Sequence, residues 1–251
     1  MSRIAKWFTG LWPGMTEARW LSSSSPLRLL HYLGHTTGRR RNLLFACACC
    51  RQTLHLFADE ACRDAVEVTE RFADGLASDE ERAAAAAILT RSYSFTVPDA
   101  VQLGEHAEYL EFDNESIQPI WLTASMTGDF RRAGLIAKLA ARAWAQRRGD
   151  QRDSLATTQR VRAHEEVQCT MLRCIFGNPF KPVVLDSRWT TPTIEQLAQA
   201  IYTDRAFDRL PILADALEDA GCTSADVLGH CRGGGEHVRG CWVVDLLLGK
   251  E

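Results

Sequence analysis

The most constraining feature of this 251-residue chain is residues 43–57, which are apolar on two opposite sides when wound as a helix. At 100° per residue, one stripe within about 80° holds Leu43, Cys47, Cys50, Leu54 and Phe57, and a far stripe holds Phe45, Cys49 and Leu56. A helix with two apolar faces must be buried between neighbouring elements. The segment therefore predicts the central helix of a multi-helix N-terminal half.

Signals that begin and end helices recur along the rest of the chain. Ser25-Pro26 predicts a helix start and Gly34 its end, while Ser78 and Glu81 have the spacing of a capping box. Further helices are predicted to begin at or near Asp59, Asp129, Thr191, Asp208, Ser224 and Glu236. The one strand-like segment, residues 180–185, contains two prolines and is more typical of an extended connector.

These signals predict an all-α fold. Short helices with short connections favour an irregular multi-helix bundle of antiparallel αα-hairpins, and a solenoid-like arrangement is the alternative. The connection between the two halves is punctuated by Pro98, Gly104, Pro119 and Gly128. The predicted organisation is a loosely attached extension at 1–14, an N-terminal helical subdomain at 15–93, an irregular connector at 94–128 and a C-terminal helical subdomain at 129–251.

Composition narrows the class of protein. With 46% hydrophobic and 24% charged residues, the chain has the composition of a soluble globular protein. The apolar part of its N-terminal segment is too short for a signal peptide. No stretch of the sequence approaches the ~20 apolar residues of a membrane span. The nine cysteines are odd in number and irregularly spaced, which favours reduced thiols. We therefore expect a cytoplasmic protein with no membrane partner.

Cysteines and histidines near the C-terminus are the candidate metal ligands. Twenty residues that include a glycine-rich turn contain Cys222, His230, Cys231, His237 and Cys241. Structural zinc sites usually carry two Cys-x₂₋₄-Cys pairs. No two cysteines of this C-terminal group have that spacing, whereas Cys47 and Cys50 do. We expect no cofactor, with the C-terminal residues packing a helix over 236–248 on which His237 and Cys241 share a face. Zinc binding by this group is the alternative.

Catalytic motifs are incomplete. His164-Glu165 begins like a zinc-protease helix, but Gln168 stands where the second histidine would be. Gly233–Gly235 precedes a predicted helix without the lysine and hydroxyl residue of a phosphate loop. No catalytic residue is assigned, and an enzyme is not expected.

Charge is unevenly distributed although the net charge is −3. Residues 186–226 carry a local balance of −5, and residues 131–162 one of +7. The segment 131–162 could bind nucleic acid. The favoured interpretation is that both segments are solvated faces of amphipathic helices, or that the two oppositely charged segments pair with each other. The candidate basic surface consists of Arg131, Arg132, Lys138, Arg142, Arg147, Arg148, Arg152, Arg160 and Arg162.

Several short stretches carry a resemblance to known proteins: residues 43–51, 54–56, 65–68, 71–75, 175–180, 205–221, 230–232 and 237–242. They resemble a family of planctomycete bacterial proteins that has no assigned activity. Within the C-terminal part, residues 209–221 are similar to a short repeat-companion module of the same bacteria, which usually carries an aromatic where this chain has Ala216. The resemblance implies a bacterial cytoplasmic protein and no catalytic residues. The leading prediction is a non-enzymatic helical module that binds another protein. Zinc binding and nucleic-acid binding are the alternatives.

Overall fold

The computed structural model describes residues 14–34, 38–54, 60–92 and 155–250, and within these ranges the chain forms helices and no strands. The α-helices are α1 (Glu17–Ser22), α2 (Pro26–Leu33), α3 (Arg39–Thr53), α4 (Glu60–Ala73), α5 (Asp79–Ser92), α6 (Leu155–Phe176), α7 (Pro192–Asp204), α8 (Leu210–Asp219), α9 (Ala225–Arg232) and α10 (Trp242–Leu247). Two 3₁₀-helices span Ser187–Trp189 and Phe207–Arg209. The all-α prediction is confirmed.

The chain divides into two compact units, and the division is not sequential. Unit 1 comprises residues 1–13 and 23–169, and unit 2 comprises residues 14–22 and 170–251. Helix α1 therefore belongs to the unit formed by the C-terminal residues, and the boundary falls inside α6. The predicted connector at 94–128 and most of the extension at 1–14 lie outside the described residues.

Helix α3 is the centre of the described part of unit 1. It begins at Arg39, four residues before the predicted start, and every residue from Asn42 to Cys50 is buried. The described members of both stripes are buried, which confirms the prediction of a helix enclosed by neighbours. The helix ends at Thr53, and Leu56 and Phe57 lie outside the described residues. Against α4, Arg51 donates two hydrogen bonds of 2.8 Å to the carboxylate of Glu70, which is 1% exposed.

Local capping positions several helices as their sequences predict. The capping box before α5 is formed, because the Ser78 amide donates to Glu81 Oε2 at 2.8 Å and the Glu81 amide donates to Ser78 Oγ at 3.2 Å. Thr191 and Ser224 accept from the amides of the third residues after them and so cap α7 and α9. Asp208 lies in a 3₁₀-turn, and α8 begins at Leu210, so the prediction that Asp208 caps this helix is wrong.

Unit 2 is built around a core contributed by α7 to α10 and the connecting segments. Its fully buried members include Ile201, Leu213, Leu217 and Val244, and Trp189 of the first 3₁₀-helix packs with them. Between α6 and α7 the chain forms a turn at residues 179–180, a stretch without regular structure at 182–186 and the first 3₁₀-helix. The proline-containing segment 180–185 is therefore a connector, as predicted, and not a strand. None of the helices in the described ranges combines the length and apolar character that crossing a membrane requires.

Candidate metal centre

Four side chains of unit 2 converge on one point: Cys174, His230, His237 and Cys241. One potential ligand atom from each lies within 4.8 Å of all the others. Over residues 14–34, 38–54, 60–92 and 155–250, this is the one group of three or more Cys, His, Asp or Glu side chains with such an arrangement. The chain therefore assembles a two-cysteine, two-histidine cluster from distant positions.

Two of the four ligands are held by helices with well-defined ends. Cys174 lies in the last turn of α6, which ends where Gly177 adopts φ 64°. A side chain at residue 177 would be strained at this φ, and its Cβ would lie 3.3 Å from Cγ of Trp242. His230 lies in the last turn of α9, whose first turn is capped by Ser224. The two helix ends thus present a thiol and an imidazole to the same space.

The other two ligands come from the segment that follows α9. A Cβ on Gly235 would approach Cγ2 of Thr170 to 3.0 Å, so glycine lets this segment pass close to α6. His237 follows in a segment without regular secondary structure, and Cys241 is the N-cap residue of α10. The predicted helix over 236–248 is therefore wrong at its start, because the Cys241 amide closes a turn by donating to the Val238 carbonyl at 3.0 Å.

Distances within the cluster agree with a tetrahedral metal site. Cys174 Sγ and His237 Nδ1 are 3.6 Å apart, and His230 Nε2 and Cys241 Sγ are 3.3 Å apart. Zinc bonds of about 2.3 Å to sulfur and about 2.0 Å to nitrogen give a sulfur-to-nitrogen edge of about 3.6 Å in a tetrahedron. The widest separation allowed by the 4.8 Å limit exceeds such an edge by about 1 Å, so a modest contraction would place all four atoms around one ion.

The surroundings orient the two imidazoles. His237 Nε2 lies 3.2 Å from the carbonyl oxygen of Gly233, which suits an N–H donor at Nε2 and leaves Nδ1 facing the cysteines. The two imidazole rings meet edge-to-face at 4.8 Å, and the Trp242 ring lies 5.3 Å from the His230 ring. Cys174 is 2% and Cys241 0% exposed, so the thiols are shielded from solvent.

The surroundings shift the pKa values of the two thiols in opposite directions. Burial raises the pKa of Cys174 well above its ordinary value, and its contact with Cys241 raises it further. Burial also acts to raise the pKa of Cys241, but hydrogen bonds from Cys174, His230 and His237 outweigh it and hold this pKa well below the ordinary value. The metal-free cluster therefore favours a thiolate at Cys241 that its three neighbours stabilise.

Three of the five residues named from the sequence, His230, His237 and Cys241, lie in the cluster. Cys222 and Cys231 are not part of the cluster. They lie in the same apolar core as Cys174 and Cys241, and burial there raises the pKa of Cys231. Sequence reasoning missed Cys174, which is 56 residues from His230. Its local signals are the Cys-x₄-Cys spacing that it forms with Cys169 and its place in the last turn of a helix, three residues before a glycine stop.

The predicted basic surface can be placed only in part. Arg162 is exposed and Arg160 half-buried on α6, while the other seven basic residues lie outside the described ranges. The remaining cysteines, including Cys47 and Cys50, are buried, and none of the nine forms a disulfide. Neither feature brings together a second group of metal-type ligands among the described residues.

Comparisons with known proteins add no relative. No protein-family model, no curated protein and no solved structure matches the chain. The resemblance to a planctomycete family stays a prediction. What the fold and the site define is a helical protein with a buried, four-residue cluster of sulfur and nitrogen ligands in its C-terminal unit.

Proposed function

We propose that unit 2 is a zinc-binding module in which Cys174, His230, His237 and Cys241 hold one ion. The observation that carries this proposal is the convergence of four ligand atoms within 4.8 Å of one another. Two thiolates and two imidazoles form the donor set that zinc prefers, whereas magnesium and calcium prefer oxygen ligands.

The proposed site is structural. Four protein ligands complete a tetrahedron and leave no position for a water or substrate, as in closed zinc sites. The two cysteines are 0% and 2% exposed and the two histidines are half-buried, so the sulfur side of the site is shielded from solvent. The ion would join the end of α6 to α9, the following loop and α10, so its chemistry is to cross-link helices that the apolar core packs together.

The environment of the thiols supports the same proposal. Zinc binding needs thiolates, and nine cysteines without a disulfide suit a reducing compartment such as a bacterial cytoplasm. The role of the module is then to present a stable helical surface, and binding of another protein remains the leading hypothesis for that surface. No described feature favours nucleic acid over a protein as the partner.

Native mass spectrometry of the protein purified without added metal tests the proposal. We expect one zinc per chain, lost in Cys174→Ser and in His237→Asn. Cys222→Ala is the matched control, because Cys222 is buried in the same unit but lies outside the cluster. A chain that binds no zinc, or that keeps its zinc in both ligand variants, would contradict the site.

A further inference from the structure

Helix α1 is docked on unit 2 although about 150 residues separate it from the rest of that unit. Trp20 is fully buried, and its indole Nε1 donates to the Gly177 carbonyl at 3.1 Å. In return, Arg173 Nε donates to the Trp20 carbonyl at 3.0 Å. Glu17 accepts from Asn178 and pairs with Lys181, both at 2.8 Å.

The docking surface of α1 and the metal cluster share the same piece of chain. The surface consists of Arg173, Gly177, Asn178 and Lys181, and Cys174 directly follows Arg173. Gly177 also lies against the Trp242 ring, whose residue directly follows Cys241 and whose ring contacts that of His230. The residue whose carbonyl accepts from Trp20 therefore lies three residues after Cys174 and against the ring of the residue that follows Cys241.

We propose that metal binding controls the docking of α1, so that unit 2 is a metal-dependent receptor for the segment 14–22. This inference rests on the proposed zinc site. A metal bond at Cys174 fixes the last turn of α6, and a bond at Cys241 fixes Trp242, and these are the two elements that form and support the receptor surface.

The physical reason is the small size of α1. A helix of six residues is not stable alone in water, so its structure depends on the surface that receives it. Without the ion, the loop that carries His237 and the turn that carries Cys241 lose their cross-link to α6. Docking of α1 must then also supply the free energy of ordering these elements, so α1 docks more weakly. By linkage, docking of α1 should in turn strengthen metal binding by the same factor.

Hydrogen–deuterium exchange on the intact protein tests the first direction of the coupling. Metal-free protein titrated with zinc should gain protection over residues 14–22, whereas exchange of α4 in unit 1 should stay unchanged. Equal exchange of residues 14–22 with and without bound zinc would overturn the proposal.

The zinc affinity of α1 variants tests the reverse direction. Trp20→Ala should weaken zinc binding by about fivefold or more, within the usual range of coupling between two sites. Leu21→Ala is the matched control, because Leu21 is 53% exposed on the same helix and should leave the affinity unchanged. Competition with a chromophoric chelator measures both values.

Two further outcomes separate this proposal from the zinc site itself. Stoichiometric zinc binding with equal affinity in wild type and Trp20→Ala would leave the metal site standing and refute the coupling. Absence of zinc binding in the wild type would refute the site. If Trp20→Ala fails to fold, Glu17→Gln replaces it, because this change removes the ion pair with Lys181 without opening the core. Its zinc affinity should be about twofold weaker than that of the wild type. An unchanged affinity would refute the proposal.

Discussion

The two cysteine-rich regions of the molecule are equally buried and differ in what surrounds their thiols. On α3, Cys47, Cys49 and Cys50 are each 0% exposed. Burial raises the pKa of Cys49 far above its ordinary value, and nearby Cys169 adds to the effect. At the metal cluster, Cys174 and Cys241 are just as buried, but each has an imidazole nitrogen within 3.6 Å.

Neither the number of cysteines nor their burial therefore identifies a metal site. The Cys47 thiol donates a weak hydrogen bond to the Val66 carbonyl of α4 at 3.9 Å, a contact that keeps the thiol protonated in a packed core. Cys241 instead meets His230, and this contact favours the thiolate that a metal requires. Thiols of the first kind fill a core, and thiols of the second kind can bind an ion.

The largest expected effect comes from replacing one cysteine of each kind. Cys241→Ser should lower the free energy of unfolding of the zinc-loaded protein by more than about 3 kcal/mol, because the binding energy of a structural zinc is also folding energy. Cys49→Ala should cost about 1 kcal/mol, as for a small cavity. Urea unfolding followed by circular dichroism measures both, and equal losses would remove the distinction between the regions.

Leu54→Ala probes the core of unit 1 without touching the cluster. Leu54 is 8% exposed at the end of α3, and its truncation should cost about 2–5 kcal/mol. We expect the same loss with zinc and after chelation, since α3 lies outside the unit that holds the cluster. A loss below about half a kcal/mol would show that this position is not packed as described.

Two ion pairs, one in each unit, should contribute differently to stability. Glu70→Gln should cost about 1–3 kcal/mol, because it leaves Arg51 facing a neutral side chain in a largely buried place. Asp215→Asn of unit 2 should cost about 0–1 kcal/mol, since Asp215 is 70% exposed where it pairs with Arg232. Thermal denaturation of both variants measures the two losses of stability. Equal losses, or a larger loss in Asp215→Asn, would contradict this expectation.

The smallest expected effects come from the serine caps. Ser78→Ala and Ser224→Ala should each cost about 1 kcal/mol of stability, because each hydroxyl accepts a first-turn amide. Only Ser224→Ala should also weaken zinc binding, since α9 carries His230. Chelator competition on both variants checks this, and a weaker zinc affinity in Ser78→Ala would argue against a site confined to unit 2.

Local features of the fold could be predicted from the sequence, because their causes lie within a few residues. The capping box of Ser78 and Glu81, the caps at Thr191 and Ser224 and the glycine stop after α6 all depend on neighbours in the chain. The two-faced helix α3 was likewise predictable from its periodicity. The late start of α10 was not, since the turn at Cys241 interrupts an apolar pattern that suits a longer helix.

The candidate site was predictable only where its ligands are close in sequence. His230, His237 and Cys241 lie within twelve residues, but Cys174 joins them through the packing of α6 on the C-terminal loop. The docking of α1 joins residues that are still further apart in the sequence, Trp20 and Gly177. Periodicity and spacing carry no information about which distant segments pack together.

Cobalt(II) titration of the metal-free protein tests whether Cys174, His230, His237 and Cys241 bind one ion together. Cobalt occupies zinc sites and reports its ligands by visible absorption, and tetrahedral coordination by two sulfurs and two nitrogens gives strong bands with thiolate charge transfer. We predict such a spectrum at one cobalt per chain, displaced by one zinc and absent in Cys174→Ala. The weak spectrum of octahedral cobalt, or an unchanged tetrahedral spectrum in Cys174→Ala, would contradict the four-ligand centre.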